Sequence, residues 1–472
     1  MTAYNWENNA SNAGSDWCNQ NDALMSASNV PGVALTPTIT QTFSSNLAIV
    51  LTVPTIGYVA ADKNHATGCE DVNVTPNYLS TRFKVSVPKK NAPFTLTPSA
   101  TDGFVYQDEW VNFLDKTYPT AKTDATRTIF YSLDNEPDLW ASTHRRLRGD
   151  ATSTPSEPSR AVALTYAEIV QRSKDYAVAI KDVVPQALVF GPVNYGWQGM
   201  VNLQSAPDAA GRDFLSFYLQ QMAAAQTSTG KRLLDVLDVH WYPEANAGGI
   251  RITESNAEPA VAAARMAAPR SLWDATYLEN SWITQCCGWG PIQLLPRLKQ
   301  KISANYPGTK IAITEYNYGG GNHISGGIAQ ADVLGIFGRD GVFAANLWPL
   351  GGSHAYIHGG FEMFRNFDGF NGSFGNTAIQ AASTDMVNTS VYASVDAGNP
   401  NRVVVVAINK LGVANSAAIR VWHTTRLNKV KVYTLTSASS QPQVGGPITI
   451  RQLNAFQYIM PAHSVSTLVL EP

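Results

Sequence analysis

Two glutamates occupy matching places in this chain. Glu136 lies in Ser132-Leu-Asp-Asn-Glu-Pro137 and Glu315 lies in Ile311-Ala-Ile-Thr-Glu-Tyr316, each directly after a short apolar run. Cleaving a glycosidic bond needs one carboxyl group to protonate the leaving oxygen and a second to act from the other side of the anomeric carbon. Asn135, one residue before Glu136, is placed to reach a sugar 2-hydroxyl, whose hydrogen bond strengthens in the transition state. A carboxyl beside aromatic rings can stay protonated near neutrality, as a general acid must. An isolated Asn-Glu-Pro is weak, because turn chemistry produces it often. Either glutamate alone is equally well read as a helix cap or an arginine partner. Both at the ends of two different strands make a far more specific signal.

Around this pair stand residues of weaker signal. His240 and Tyr242 follow a later strand and are expected to line the subsite beside Glu315; a structural histidine is the competing reading. Tyr316 belongs to the same strand-end cluster as Glu315. Trp348, at the last strand end, is expected to floor the −1 sugar site, with core packing as the alternative. Tyr195, Trp197, Trp282 and Trp17 are candidate stacking platforms along an open cleft. Asp102-Gly103 and Asp108-Glu109 lie in a long loop with the oxygens for a structural calcium, but their spacing is not that of an EF-hand, and a solvated turn explains them as well. No cofactor is required by the chemistry, and the metal ligands stay unassigned. The cysteines, Cys18, Cys69, Cys286 and Cys287, form no CxxC pair. They read as buried thiols, with a Cys18–Cys69 bridge as the alternative.

The elements that must position these groups follow from periodicity. Apolar runs at 47–54, 128–133, 188–190, 234–240, 310–314 and 342–348 read as buried strands, and amphipathic segments separate most of them. Thr165-Tyr-Ala-Glu168 has the form of a capping box, and the apolar stripe after it stops at Pro185. Further helical stripes run through Phe214–Met222, Ile292–Ile302 and Ile328–Phe337. Strands buried on both faces and alternating with helices argue for a parallel sheet. Chemistry gathered at the C-terminal ends of several strands argues for a (β/α)8 TIM-like barrel rather than a doubly wound sheet, which concentrates its site at one switch point. From about residue 385 short strands follow one another without helices, an all-β sandwich. The expected division is therefore 1–384, the barrel, and 385–472, the sandwich. Six barrel strands are two short of eight, so the first barrel strands are expected to lie upstream of this sequence.

Composition narrows the partners. The 472 residues are 44% hydrophobic and 15% charged, with a net charge of −2 and no block of like charge. This gives neither nucleic acid nor an anionic membrane a footprint. No apolar stretch approaches the roughly 18 residues of a membrane span. The 11 Trp and 19 Tyr, many in Gly/Asn-rich contexts, suit stacking on sugar rings.

Four strings carry a resemblance. They are Tyr4-Asn-Trp-Glu-Asn-Asn-Ala-Ser-Asn-Ala-Gly-Ser-Asp-Trp17, Phe130-Tyr-Ser-Leu-Asp-Asn-Glu-Pro137, Asp235-Val-Leu-Asp-Val-His-Trp-Tyr-Pro243 and Ile313-Thr-Glu-Tyr-Asn-Tyr-Gly319. They resemble glycoside hydrolase family 44, over nearly the whole chain. The resemblance implies a TIM-like barrel joined to a β-sandwich and a retaining endo-β-1,4-glucanase, with xyloglucan as a frequent substrate. It implies Glu136 as acid/base and Glu315 as nucleophile. A β-1,4-xylanase or mannanase on the same framework, or a non-catalytic carbohydrate-binding protein, are the alternatives. A polymeric substrate further implies a secreted protein, and a monomer is expected.

Overall fold

The computed structural model describes residues 3–14, 18–20, 26–64, 72, 75–150, 160–286 and 288–472. The chain divides into two compact units, Met1–Trp241 with Lys299–Thr314, and Tyr242–Leu298 with Glu315–Pro472.

All six apolar runs form strands of one sheet: β1 (Ile49–Val53), β2 (Ile129–Leu133), β3 (Val189–Asn194), β4 (Val236–Trp241), β5 (Lys310–Tyr316) and β6 (Ala344–Leu347), in that spatial order. The pairs β1–β2, β2–β3 and β3–β4 are parallel. Every residue of β3 and β4 is buried, which is why their sequences run apolar instead of alternating. The first unit holds β1 to β4 and β5 as far as Thr314; Glu315 and Tyr316 begin the second unit's share of β5.

Two helices of the first unit, Tyr166–Val183 and Phe214–Thr229, fall where the sequence marks them, whereas Gln107–Thr117 is a helix where a loop was expected. After helix α1 (Gln107–Thr117) comes α2 (Tyr166–Val183), capped as expected: Thr165 Oγ1 accepts the Glu168 N–H at 3.0 Å. The short α3 (Gly196–Asn202) follows β3, and α4 (Phe214–Thr229) is capped by Asp213 and closed by Gly230 at φ 68°. A small sheet of Tyr58–Ala60, Phe83–Val87 and Phe104–Tyr106 was not legible, each strand being too short for a period to show. Helix Thr36–Ser44 also escaped, since its Thr-rich sequence has low helix propensity.

The second unit carries helices α5 (Ile324–Asp340) and α6 (Ala355–Arg365), then strands alone. These are β7 (Thr377–Ile379), β8 (Thr389–Asp396), β9 (Asn399–Asn409), β10 (Asn415–Arg420), β11 (Lys429–Thr436), β12 (Ser439–Val444), β13 (Ala455–Met460) and β14 (Ser464–Glu471). One sheet runs β7-β8-β9-β14-β11-β12, with Ile448–Thr449 added to β11, and β10 pairs antiparallel with β13. Val403, Val405, Leu468 and Leu470 pack with Tyr458 and Met460 of β13 in one cluster. The alternate residues Val404 and Val469 pack with Phe367 on the other face. Both faces of β9 and β14 are thus covered, which accounts for the unbroken Val403–Val406 run. The fold is a TIM-like barrel sheet joined to a β-sandwich, as the sequence implied.

The cysteines correct one expectation. Cys18 and Cys286 are each in a disulfide, where thiols were expected. Cys18 is buried but Cys286 is exposed, so residue type gave neither burial nor pairing reliably. Cys69 and Cys287 lie outside the described residues, as does Trp17.

Candidate active site

The chain leaves β2 through a strained turn. Asp134 (φ 71°) and Glu136 (φ 47°) both adopt left-handed backbone, and Pro137–Leu139 continues as a single 3-10 turn. Such a conformation persists only where surrounding bonds over-determine it. Here Asp134 does this: Oδ2 accepts the N–H groups of Thr55 (2.6 Å) and Ile56 (3.2 Å) and the Thr55 hydroxyl (3.1 Å), and Oδ1 accepts the Asn135 N–H (2.9 Å). The loop is thereby tied to the end of β1. The Glu136 N–H donates to the Val193 carbonyl at 3.0 Å, tying it to β3 as well.

Glu136 itself is half-buried, and its Oε1 lies 2.7 Å from Nδ1 of His240 on β4. The ring nitrogen of His240 is thus committed to Glu136. His240 is buried, so it presents no broad face to a sugar.

Glu315 is positioned from its own side. Thr314, one residue earlier, is fastened to β4: its N–H and hydroxyl donate to Asp238 at 3.2 and 2.8–2.9 Å. Alternation along β5 then turns Glu315 and Tyr316 to opposite sides. Glu315 Oε2 accepts the Tyr242 hydroxyl at 2.7 Å. Tyr316 is fully buried, and its hydroxyl accepts from Gln330 Nε2 at 2.8 Å. It supports the strand from behind and does not face a ligand. Arg251 holds the chain after β4 by donating to the Tyr242 and Pro243 carbonyls, both at 2.9 Å.

The remaining sequence candidates separate. Asn135 and Tyr195 are half-buried at the ends of β2 and β3. Trp197 is only 6% exposed and packs edge-on against Trp241 with centroids 6.5 Å apart, a core residue where an open platform was expected. Helical spacing in α3 turned it inward, and residue type alone does not reveal that. Trp348 is 53% exposed; its carbonyl accepts from Asn317 Nδ2 at 2.7 Å and its N–H donates to the Tyr316 carbonyl at 3.1 Å. Trp282 is 40% exposed in a short helix, Trp282–Cys286.

The calcium candidates are already engaged. Asp108 accepts the Lys90 N–H with both oxygens (3.1 and 3.0 Å), and Glu109 accepts Lys90 Nζ at 2.6 Å and the Thr95 N–H at 2.7 Å. Both sit in the first turn of α1, where the helix dipole favours negative charge. Asp102 Oδ1 accepts the Phe104 N–H at 3.2 Å in a tight turn.

Sequence reading missed three buried aspartates. Asp134 and Asp238 hold the two glutamate-bearing segments, and Asp138 lies behind Glu136. Their one signal was a carboxylate within three residues of a strand-end glutamate or histidine, in otherwise apolar strings.

The model of glycoside hydrolase family 44 matches residues 10–245. Endoglucanase A of Paenibacillus lautus is 40% identical over 492 residues, spanning 100% of this chain and 67% of that protein. The chain belongs to glycoside hydrolase family 44. A family 44 xyloglucanase of Paenibacillus polymyxa has the same fold with TM-score 0.91 at 40% identity, covering 100% of this chain and 91% of the other. Beta-mannanase/endoglucanase A of Caldicellulosiruptor saccharolyticus is 38% identical across 99% of this chain, which spans 36% of that protein. Family 44 membership makes this chain a glycoside hydrolase. Among the described residues no helix is long and apolar enough to cross a membrane.

Proposed function

We propose that this family 44 hydrolase cleaves β-1,4-glucans internally, xyloglucan among them, with retention of anomeric configuration. One observation carries the reading. Each glutamate has its own fixed partner: His240 of β4 at Glu136, and Tyr242, beyond the strand, at Glu315.

The chemistry follows from which oxygens are occupied. A His240 tautomer with Nδ1–H donates to Glu136 Oε1, leaving Oε2 to carry the acid proton. The Tyr242 hydroxyl donates to Glu315 Oε2 and fixes the orientation of that carboxyl group. In the first step Glu315 attacks the anomeric carbon while Glu136 gives its proton to the departing glycosidic oxygen. In the second, Glu136, now a carboxylate, takes a proton from water, and the resulting hydroxide displaces Glu315. Each glutamate ends as it began. Double displacement of this kind calls for carboxyl groups about 5–5.5 Å apart. Named activities of the relatives support glucan as substrate, the P. polymyxa enzyme having been solved with xyloglucan. A polymer of this size is met outside the cell, so the protein works as a secreted enzyme, acting as a monomer.

The test is reducing-sugar release from xyloglucan, carboxymethylcellulose, xylan and mannan, with Glu136→Gln and Glu315→Gln alongside. The glucans are expected to be cleaved fastest, with both variants inactive on them. Preferred cleavage of xylan or mannan would overturn the substrate assignment, and an active Glu315→Gln would overturn the nucleophile.

A further inference from the structure

Asp138 has no part in either chemical step, yet it is buried two residues from Glu136. Its carboxylate reaches across to the loop after β3. Oδ1 accepts the Tyr195 N–H at 3.1 Å, and Oδ2 accepts Gln204 Nε2, also at 3.1 Å. The same Gln204 amide donates to the Tyr195 carbonyl at 3.3 Å. With the Glu136 N–H on the Val193 carbonyl, three bonds join the two loops, two of them through this one carboxylate.

The surrounding backbone is built to admit it. A Cβ at Gly199 of α3 would stand 2.3 Å from Asp138 Oδ2, so this helix turn approaches only because residue 199 is glycine. Val193, β-branched, is held at φ 61°, a strained conformation that the bonds on either side sustain. Both partners of the Asp138 carboxylate, the Tyr195 N–H and Gln204, are neutral donors.

Glu136 must lie against the glycosidic oxygen, which leaves with the aglycone sugar. A loop fastened to the turn that carries Glu136 therefore stands beside that sugar. We propose that Asp138 is a positioning residue: it latches the Tyr195 loop to the acid/base turn and so sets aglycone binding and proton donation, leaving the glycone side untouched. The proposal rests on Glu136 being the general acid.

Two substrates separate the sides. Xyloglucan needs both a proton donor and an aglycone site, whereas 2,4-dinitrophenyl β-cellobioside needs neither, because dinitrophenolate departs unprotonated. In both cases kcat/KM reports formation of the glycosyl-enzyme. Asp138→Ala is expected to lower kcat/KM on xyloglucan about tenfold or more while changing the aryl cellobioside less than about twofold. Gln204→Ala, which removes one latch bond and leaves the buried carboxylate, is expected to move both numbers the same way by less. Equal losses on both substrates, or no loss on xyloglucan, would overturn the latch. Should Asp138→Ala fail to fold, Gln204→Ala decides by the same criterion. Failure of the underlying mechanism has a different signature: Glu136→Gln would then lose the aryl cellobioside as fully as the polymer.

Discussion

At the residue scale, the two glutamates were legible because each is a chemistry-bearing residue at the end of an apolar run. What grips them was not. A sequence gives the strand end but neither the side chain's direction nor the neighbouring loop it meets. The bond from His240 to Glu136 was therefore not foreseen, and Trp197 was expected in the open and packs on Trp241. The Tyr242–Glu315 bond is a charge-assisted contact at 2.7 Å, and bonds of this kind contribute about 1.5–3 kcal/mol. Tyr242→Phe, which keeps the ring and removes the donor, is expected to lower kcat/KM on xyloglucan roughly ten- to a hundredfold without changing the melting temperature. Unchanged kinetics would show that the hydroxyl does not tune the nucleophile.

At the element scale, the long runs were readable and the short ones were not. All six strands of the barrel sheet and the capped helix α2 stood out. The strands of 58–60, 83–87 and 104–106 did not, nor did β7, β8, β12 and β13 of the sandwich, where half-buried surfaces dilute the pattern. The tie between α5 and the sandwich was equally hidden, because it depends on three residues far apart in sequence. Asp332 of α5 accepts the Tyr392 hydroxyl of β8 at 2.6 Å and Lys410 Nζ, just past β9, at 2.7 Å, all of it buried. Gly335 leaves room for the Tyr392 ring, which a Cβ there would meet at 2.2 Å. Removing one partner of a buried ion pair strands the other charge. Asp332→Ala should cost about 3–5 kcal/mol in denaturant unfolding. A cost under about 1 kcal/mol would mean that Lys410 finds water or another partner.

At the scale of the whole molecule, buried carboxyls set how stability follows pH. Burial raises Glu7 and Glu279 to about 7 and Asp138 to about 6, and it also raises Asp108 and Glu362. For Glu7 this wins over the Lys84 ammonium 3.1 Å away. The folded chain keeps these protons while the unfolded chain loses them from about pH 4 upward, so stability falls as pH rises from about 4 to 7. His323, lowered by burial, works the opposite way with a single proton. Glu168, Asp182 and Asp274, lowered by their Arg, Lys and Thr partners, lose their contribution only under more acid conditions. The melting temperature is therefore expected to be higher at pH 5 than at pH 7.5, measured in buffers of equal ionic strength. A rise between those two values would contradict this balance. The barrel and sandwich were legible at this scale from alternation alone; the protons were not, because burial of a carboxyl is a property of the packed chain.

Double displacement requires that Glu315 become covalently bonded to the substrate. The direct measurement is inactivation by a 2-deoxy-2-fluoro-β-cellobiosyl fluoride, which slows release of the glycosyl-enzyme, followed by peptide mapping by mass spectrometry. One glycosyl group per chain is expected on the peptide containing Glu315, with none on the Glu315→Gln variant. A label on a different residue, or α-anomer as the first product of cello-oligosaccharide hydrolysis, would contradict it.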